Sequence, residues 1–179
     1  RYSGIALQQA LMRTTKRYRD LDVRMYSGSH SELNQMLDDN LVDIIFNDYW
    51  QMTNDYDFNS YAISTATVIA EVPKGYTTEG AVELKELLDL PLILVCDEDQ
   101  RLDEENNYRK SLGFAGAFIH VKNLEEARFL VAAGQGILLV DRFKYLVDSI
   151  PGIERKCILS YGKPIEKDYY FYVNVQSPN

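Results

Sequence analysis

Three short stretches of the chain put small polar side chains where a strand would turn into a helix: Ser3 before Ile5–Met12, Ser29-His30-Ser31 before Glu32-Leu33, and Lys122-Asn123 before Leu124–Ala127. Each offers backbone N–H groups and a hydroxyl or amide at the positive end of a helix dipole. Such junctions bind small anions, typically carboxylates. Taken singly, each is equally a helix cap, since Ser29 with Glu32 and Asn123 with Glu126 have capping-box spacing. Their recurrence along one chain points to a small-molecule cleft.

Catalytic patterns are missing from the sequence. It contains neither GxxxxGK[ST] nor GxGxxG; Gly134-Gln135-Gly136 follows a helix and precedes a strand, the reverse of a dinucleotide-binding order, and reads as a tight turn. There is no GxSxG elbow. Of the two histidines, His120 lies in Phe118–Val121 and reads as a core or edge-strand residue, and His30 has no paired carboxylate and nucleophile nearby in sequence. The acidic run Asp97-Glu98-Asp99-Gln100, followed by Asp103, Glu104 and Glu105, lacks the register of a calcium loop. It reads as a solvated loop entering a helix N-terminus. Cys96 and Cys157 sit in apolar runs without metal or redox spacing, as buried reduced thiols do. These readings assign no catalytic residue, no metal ligand and no cofactor.

The elements that must position the polar turns follow from periodicity. Helices are predicted over 4–18, after Ser29, over 81–88, over 101–112 ending at Gly113, from Asn123 to Gly134, and over 142–147. Strands are predicted at 22–26, 42–46, 65–72, 91–96, 117–121, 136–140, 155–159 and 169–175. Apolar strands alternating with helices mean an α/β fold with mainly parallel strands.

At 179 residues and 46% hydrophobic, the chain can bury one core or two small lobes. The longest uncharged apolar runs, Leu92–Cys96 and Gly136–Val140, fall far short of the ~20 residues a membrane-spanning helix needs. The chain opens on an amphipathic segment rather than a signal peptide. Lys and Arg number 19 against 27 Asp and Glu, a net charge of −8. Nucleic-acid affinity rests on cations that neutralise phosphates, so this segment by itself is expected to be a poor DNA binder.

Read in order, the segments resemble the effector-binding domain of LysR-type transcriptional regulators. The likeness lies in Arg17–Val23 followed by Gly28-Ser29, Ser31-Glu32-Leu33 and Leu41–Ile45; in Val72-Pro73-Lys74-Gly75-Tyr76; in Leu90–Leu94; and in Val121, Asn123–Ala127, Leu130–Gly134 and Gly136-Ile137. It implies a periplasmic-binding-protein type II fold: two α/β lobes joined by two crossover strands, with a ligand cleft between them. Lobe one would take 1–66 plus 148–179, and lobe two 67–147. The family's first strand and last helix are expected to be truncated, and its winged helix-turn-helix to lie upstream. Two departures fall near the cleft: Asp97–Gln100 in place of a Gly/Ser turn, and Asp141 in place of a proline.

The resemblance implies a cytoplasmic, non-enzymatic sensor. It would bind a small, carboxylate-bearing metabolite, contact DNA only through the missing domain, and assemble as a homodimer or tetramer. The effector contacts it implies are Ser3, Ser29, His30, Ser31, Asn47, Thr65, Asp97, Lys122 and Asn123. The interface it implies uses Leu7, Leu11, Met12, Met25, Phe129 and Leu130. The alternative on the same fold is the solute-binding protein of a transporter.

Overall fold

The computed structural model describes residues 5–50, 60–142 and 149–173. Helices α1 (Ile5–Arg17) and α2 (His30–Asp38) precede β1 (Ile44–Trp50) and the long β2 (Ser60–Pro73). Then come β3 (Ala81–Glu83), β4 (Leu92–Val95), α3 (Arg101–Leu112), β5 (Phe118–Val121), α4 (Leu124–Ala132), β6 (Ile137–Arg142), β7 (Ile153–Ser160), β8 (Lys163–Pro164) and β9 (Glu166–Val173).

All nine strands form one mixed sheet running β1-β9-β2-β6-β4-β5, with β7 also on β2 and carrying β3 and β8. β2 joins the two halves. Its first part, Ser60–Thr67, pairs antiparallel with β9; beyond that, Thr67–Glu71 pairs with β6 and Ile69–Pro73 with β7. β4, β5 and β6 are mutually parallel, as their near-continuous apolar sequences require.

Alternation along β4 splits the core in two. Leu92 and Leu94 pack with Leu112 of α3, Leu87, Phe114, Val68 and Ile158, while Ile93 packs on the other face with Ala127 and Val131 of α4 and Leu138. Ile158 and Ile165 belong to the first of these clusters. Between α4 and β6, Gly134 turns at φ +72, and a Cβ on Gly136 would lie 2.7 Å from the Pro91 carbonyl oxygen. Both glycines of the Gly-Gln-Gly turn are therefore structural.

Glu71, fully buried on β2, clamps three elements. It accepts two 2.8 Å hydrogen bonds from Arg128 of α4 and one of 3.1 Å from Arg155 of β7. The sequence reading did not single it out.

Four expectations need correction. The sheet is mixed rather than mainly parallel: β2 pairs antiparallel with β6, β7 and β9, and β9 with β1, because the helical crossovers that parallel neighbours need connect only β4, β5 and β6. Residues 22–26 form no strand: 21–29 have no regular structure, and Leu21, Val23, Met25 and Tyr26 are exposed. Alternation makes a strand only when a neighbour supplies the ladder, and none of the described strands pairs there. Residues 81–88 form β3 and a 3₁₀ turn (Leu84–Glu86) rather than a helix, because Val82 takes a buried place beside β7. Arg142 ends β6 instead of opening a helix, and 143–148 lie outside the described residues. No disulfide involves Cys96 or Cys157, and Cys157 is only half-buried.

Candidate functional site

On the β1-β9-β2 side the capping box at α2 is complete. Ser29 Oγ accepts from Glu32 N at 3.2 Å, and Glu32 Oε2 accepts from Ser29 N at 2.8 Å. Ser29 is buried, so its N–H is consumed by the cap rather than offered to a ligand; Ser31 is exposed on the first turn. Next to the cap, His30 Nε2 lies 3.0 Å from Asp48 Oδ1, and Lys167 Nζ lies 2.8 Å from Asp48 Oδ2.

Strand register explains this meeting. Asp48 stands opposite Tyr169 in the β1–β9 ladder, and Lys167 shares Tyr169's face two residues away. Tyr169 donates its hydroxyl to Asp141 of β6, and Lys167 Nζ sits 5.9 Å from the ring centre of Tyr108 on α3. Asn47 and Thr65 lie on the other face of the sheet. Asn47 is buried and donates to Asn34 of α2 at 3.4 Å, and Thr65 donates to Asp168 at 2.5 Å. Of the expected contacts, then, His30 meets the Asp48–Lys167 pair and Asn47 and Thr65 do not.

Burial by itself would raise the Asp48 carboxyl, but Lys167 and the His30 hydrogen bond outweigh it and hold the group well below the usual carboxylate range. Burial opposes the Lys167 ammonium, yet Tyr108, Asp48 and Asp141 keep it charged beyond the usual lysine range. Burial pushes the Tyr108 phenol up to about 12, and burial together with Asp141 raises Tyr169 further. A charged pair and two neutral phenols result, within a low-dielectric seam where polar groups are strongly coupled.

At the other end of α3, a pocket of ≈ 400 Å³ lies beyond the carboxyl ends of β4 and β5, lined by Cys96, Asp97, Arg101, His120, Lys122 and Glu126 among others. The chain leaves β4 for α3 on one face of the sheet and leaves β5 for α4 on the opposite face. The pocket thus occupies a topological switch point, the usual ligand crevice of open α/β sheets. Asp97 and Lys122 line it. Asn123 caps α4 instead, accepting from Glu126 N at 2.8 Å. Arg101 Nε, shut off from solvent, makes no hydrogen bond; His120 Nε2, equally shut off, faces Glu105 Oε1 at 3.1 Å. Arg101 and Tyr108 are seven residues apart, so α3 spans ~10 Å from the pocket to the Lys167 cluster.

Asp48, Tyr108, Lys167 and Tyr169 escaped the sequence reading. The available signal was a charge at an alternate position of an otherwise apolar, aromatic strand. Asp141 was marked only as a departure from a family pattern, and here its carboxylate accepts a hydrogen bond from the Tyr169 hydroxyl. Ser3 and the side chain of Leu7 lie outside the described residues. Leu11 and Leu130 are half-buried, whereas Met12, Met25 and Phe129 are exposed. Among the described residues no His, Cys, Asp and Glu side chains gather into a metal-binding group.

A profile of the family described as LysR substrate binding domain matches residues 4–148. Among solved structures, the chain is similar to the reduced form of OxyR (TM-score 0.68, 15% identity, covering 96% of this chain and 81% of that one). It is also similar to the BenM effector binding domain with its effector benzoate (0.64, 16%, 97% and 79%). A third is HinK, a LysR family transcriptional regulator from Pseudomonas aeruginosa (0.59, 18%, 97% and 60%). At these identities the likeness establishes the fold. No curated protein matches.

Proposed function

From a chain that belongs to the LysR substrate-binding domain family, we propose a sensor that binds a small effector between its two lobes and relays occupancy as a change in lobe arrangement. The fold is of the type II periplasmic-binding-protein kind, and family membership favours a regulator's ligand-binding domain over a transporter's solute receptor. We place the lobe boundary at β2 and β9, which assigns β7 and Ile165 to lobe two along with the core they share. DNA contact would come through a winged helix-turn-helix elsewhere in the polypeptide, in the cytoplasm. The chemistry is binding rather than catalysis.

The observation that supports this reading is the switch-point pocket holding Asp97 and Lys122, joined by α3 to the Asp48–Lys167 pair with its neighbour His30. Every residue lining the pocket belongs to lobe two, so an effector seated there gains lobe-one contacts only when the lobes close, and that differential affinity is what shifts an equilibrium. For assembly we propose that Phe129, Leu130, Met12 and Met25, with Leu7 and Leu11, form a twofold contact. The solvent-facing Phe129, Met12 and Met25 are apolar area that pairing would cover.

A thermal-shift screen against metabolites tests the site. A true effector should lose about tenfold in affinity in Lys122→Ala, the effect of one lost charge-assisted hydrogen bond. Unliganded melting should stay unchanged, because that side chain is exposed. A hit whose affinity is the same in Lys122→Ala and Asp97→Ala overturns the assignment.

A further inference from the structure

We infer that the switch-point pocket selects a zwitterion: an amino-carboxylate whose anionic end faces Arg101 and Lys122 and whose cationic end faces Asp97 and Glu126. This rests on the reading of that pocket as the effector site and specifies what fills it.

Arg101 carries the first part of the argument. It is the first residue of α3, where the positive end of the helix dipole disfavours a cation, and Gln100 before it supplies no side-chain cap. Its acidic neighbour Glu98 is 3.8 Å away with a side chain 87% exposed, a loose partner. Lys122 adds a second cation to the same lining. Beneath them, the Nε of Arg101 is buried without a hydrogen bond, while the Nε2 of His120 is already faced by Glu105 Oε1 at 3.1 Å. A buried polar atom left as that Nε is left is uncommon and marks a place where a ligand or water completes the network.

The opposite sign is equally present. Asp97, Glu98 and Glu126 line the same pocket, and Glu126 Oε2 also holds the Lys122 N–H at 3.3 Å. A purely anionic ligand would face these three carboxylates, and a purely cationic one would face Arg101 and Lys122. A dipolar ligand satisfies both sets, and the ≈ 400 Å³ volume holds a molecule of amino-acid size. Discrimination of this kind comes from like-charge penalties against the wrong ligand as much as from attraction to the right one.

Three probes of similar size separate the cases: 2-aminobutyrate, butyrate and propylamine, titrated calorimetrically into the folded chain and into Arg101→Gln and Asp97→Asn. The expected result is 2-aminobutyrate binding at least tenfold tighter than either single-charge probe. Arg101→Gln should weaken 2-aminobutyrate and butyrate alike, and Asp97→Asn should weaken 2-aminobutyrate but not butyrate. Butyrate binding as tightly as 2-aminobutyrate, still sensitive to Arg101→Gln, overturns the zwitterion while the effector site stands. Binding of any probe that ignores both substitutions overturns the site itself. Failure of all three probes to bind at 10 mM overturns amino-carboxylate recognition, while the metabolite screen judges the effector reading independently.

Discussion

Replacing Lys167 with methionine isolates the charge pair at the junction of the two lobes. The Lys167 and Asp48 side chains are 12% and 22% exposed and 2.8 Å apart. Removing one member of a buried pair costs ~3–5 kcal/mol, because the other is left desolvated and unmatched. Asp48 keeps His30 at 3.0 Å and some exposure to solvent, so the cost falls at or just under the lower end, about 2–3 kcal/mol at neutral pH. The pH dependence gives a sharper check. In the wild type, Asp48 has a depressed folded pKa, so its contribution is present above the unfolded value of ~3.9 and is lost only as pH falls through the lower folded value. Lys167 is raised, so its contribution is complete below ~10.4 and is lost as pH climbs through the folded value; Tyr108, pushed up to about 12, and Tyr169 behave in the same sense from ~10 upward. In Lys167→Met, burial acts on an Asp48 without its main counter-charge, and protonation relieves the strain. The deficit should therefore be widest between about pH 5 and 10 and narrow at either end. Urea unfolding followed by circular dichroism at pH 4, 7 and about 11.5 measures it, the last lying far enough above the unfolded lysine value of ~10.4 for the narrowing to show. A loss under about 0.5 kcal/mol at pH 7, or one that stays flat across the three pH values, would refute the reasoning. The double variant Lys167→Met, Asp48→Leu should recover at least half of the loss.

Glu71→Gln leaves two arginines facing a neutral amide in a fully buried position and should lower stability by about 2–4 kcal/mol in chemical denaturation; an unchanged midpoint would contradict the clamp. Gly136→Ala must push β6 away from Pro91, and a fall of several degrees in Tm is expected, whereas Gln135→Ala should leave Tm in place. Phe129→Glu charges an exposed apolar position and should move the elution volume toward monomer without changing the circular dichroism spectrum; an unaltered assembly state would remove α4 from the interface.

How far the sequence carries depends on how local each cause is. The α2 cap at Ser29, the α4 cap at Asn123 and the stop of α3 at Gly113 each involve residues within four positions, and all were legible. The buried runs at β4 and β6 were legible too, because a strand covered on both faces must be apolar throughout. The segment 22–26 misled, since its alternating pattern states which side chains would face a core without supplying one. The Asp48–Lys167 pair was invisible because its members meet only through the register of β1 on β9, more than a hundred residues apart in sequence. Glu71 and Arg155, 84 residues apart, likewise meet only through the register of β7 on β2. Of the expected cleft residues, those that were caps behaved as caps, and the coupled charges came from strand positions with no local signature.

The placement of β2 at the junction of both halves also governs the order of assembly. Every strand that pairs with it lies between Leu138 and Tyr172. As the chain emerges from the ribosome, β2 must wait for ~70 further residues before β6 is made and ~100 before β9 is, about 5–20 s for the whole set at ordinary synthesis rates, with its hydrogen-bonding edges open. Until β6 is made it is a fourteen-residue strand with no native neighbour among the described strands, the kind of segment that adds to another chain's edge. Neither half can close early, because both complete their sheets on this one strand. Formation of this domain is therefore governed by loop closure over long separations, the slow regime of folding, and its yield in the cell is set as much by what shields β2 during synthesis as by the stability of the finished sheet.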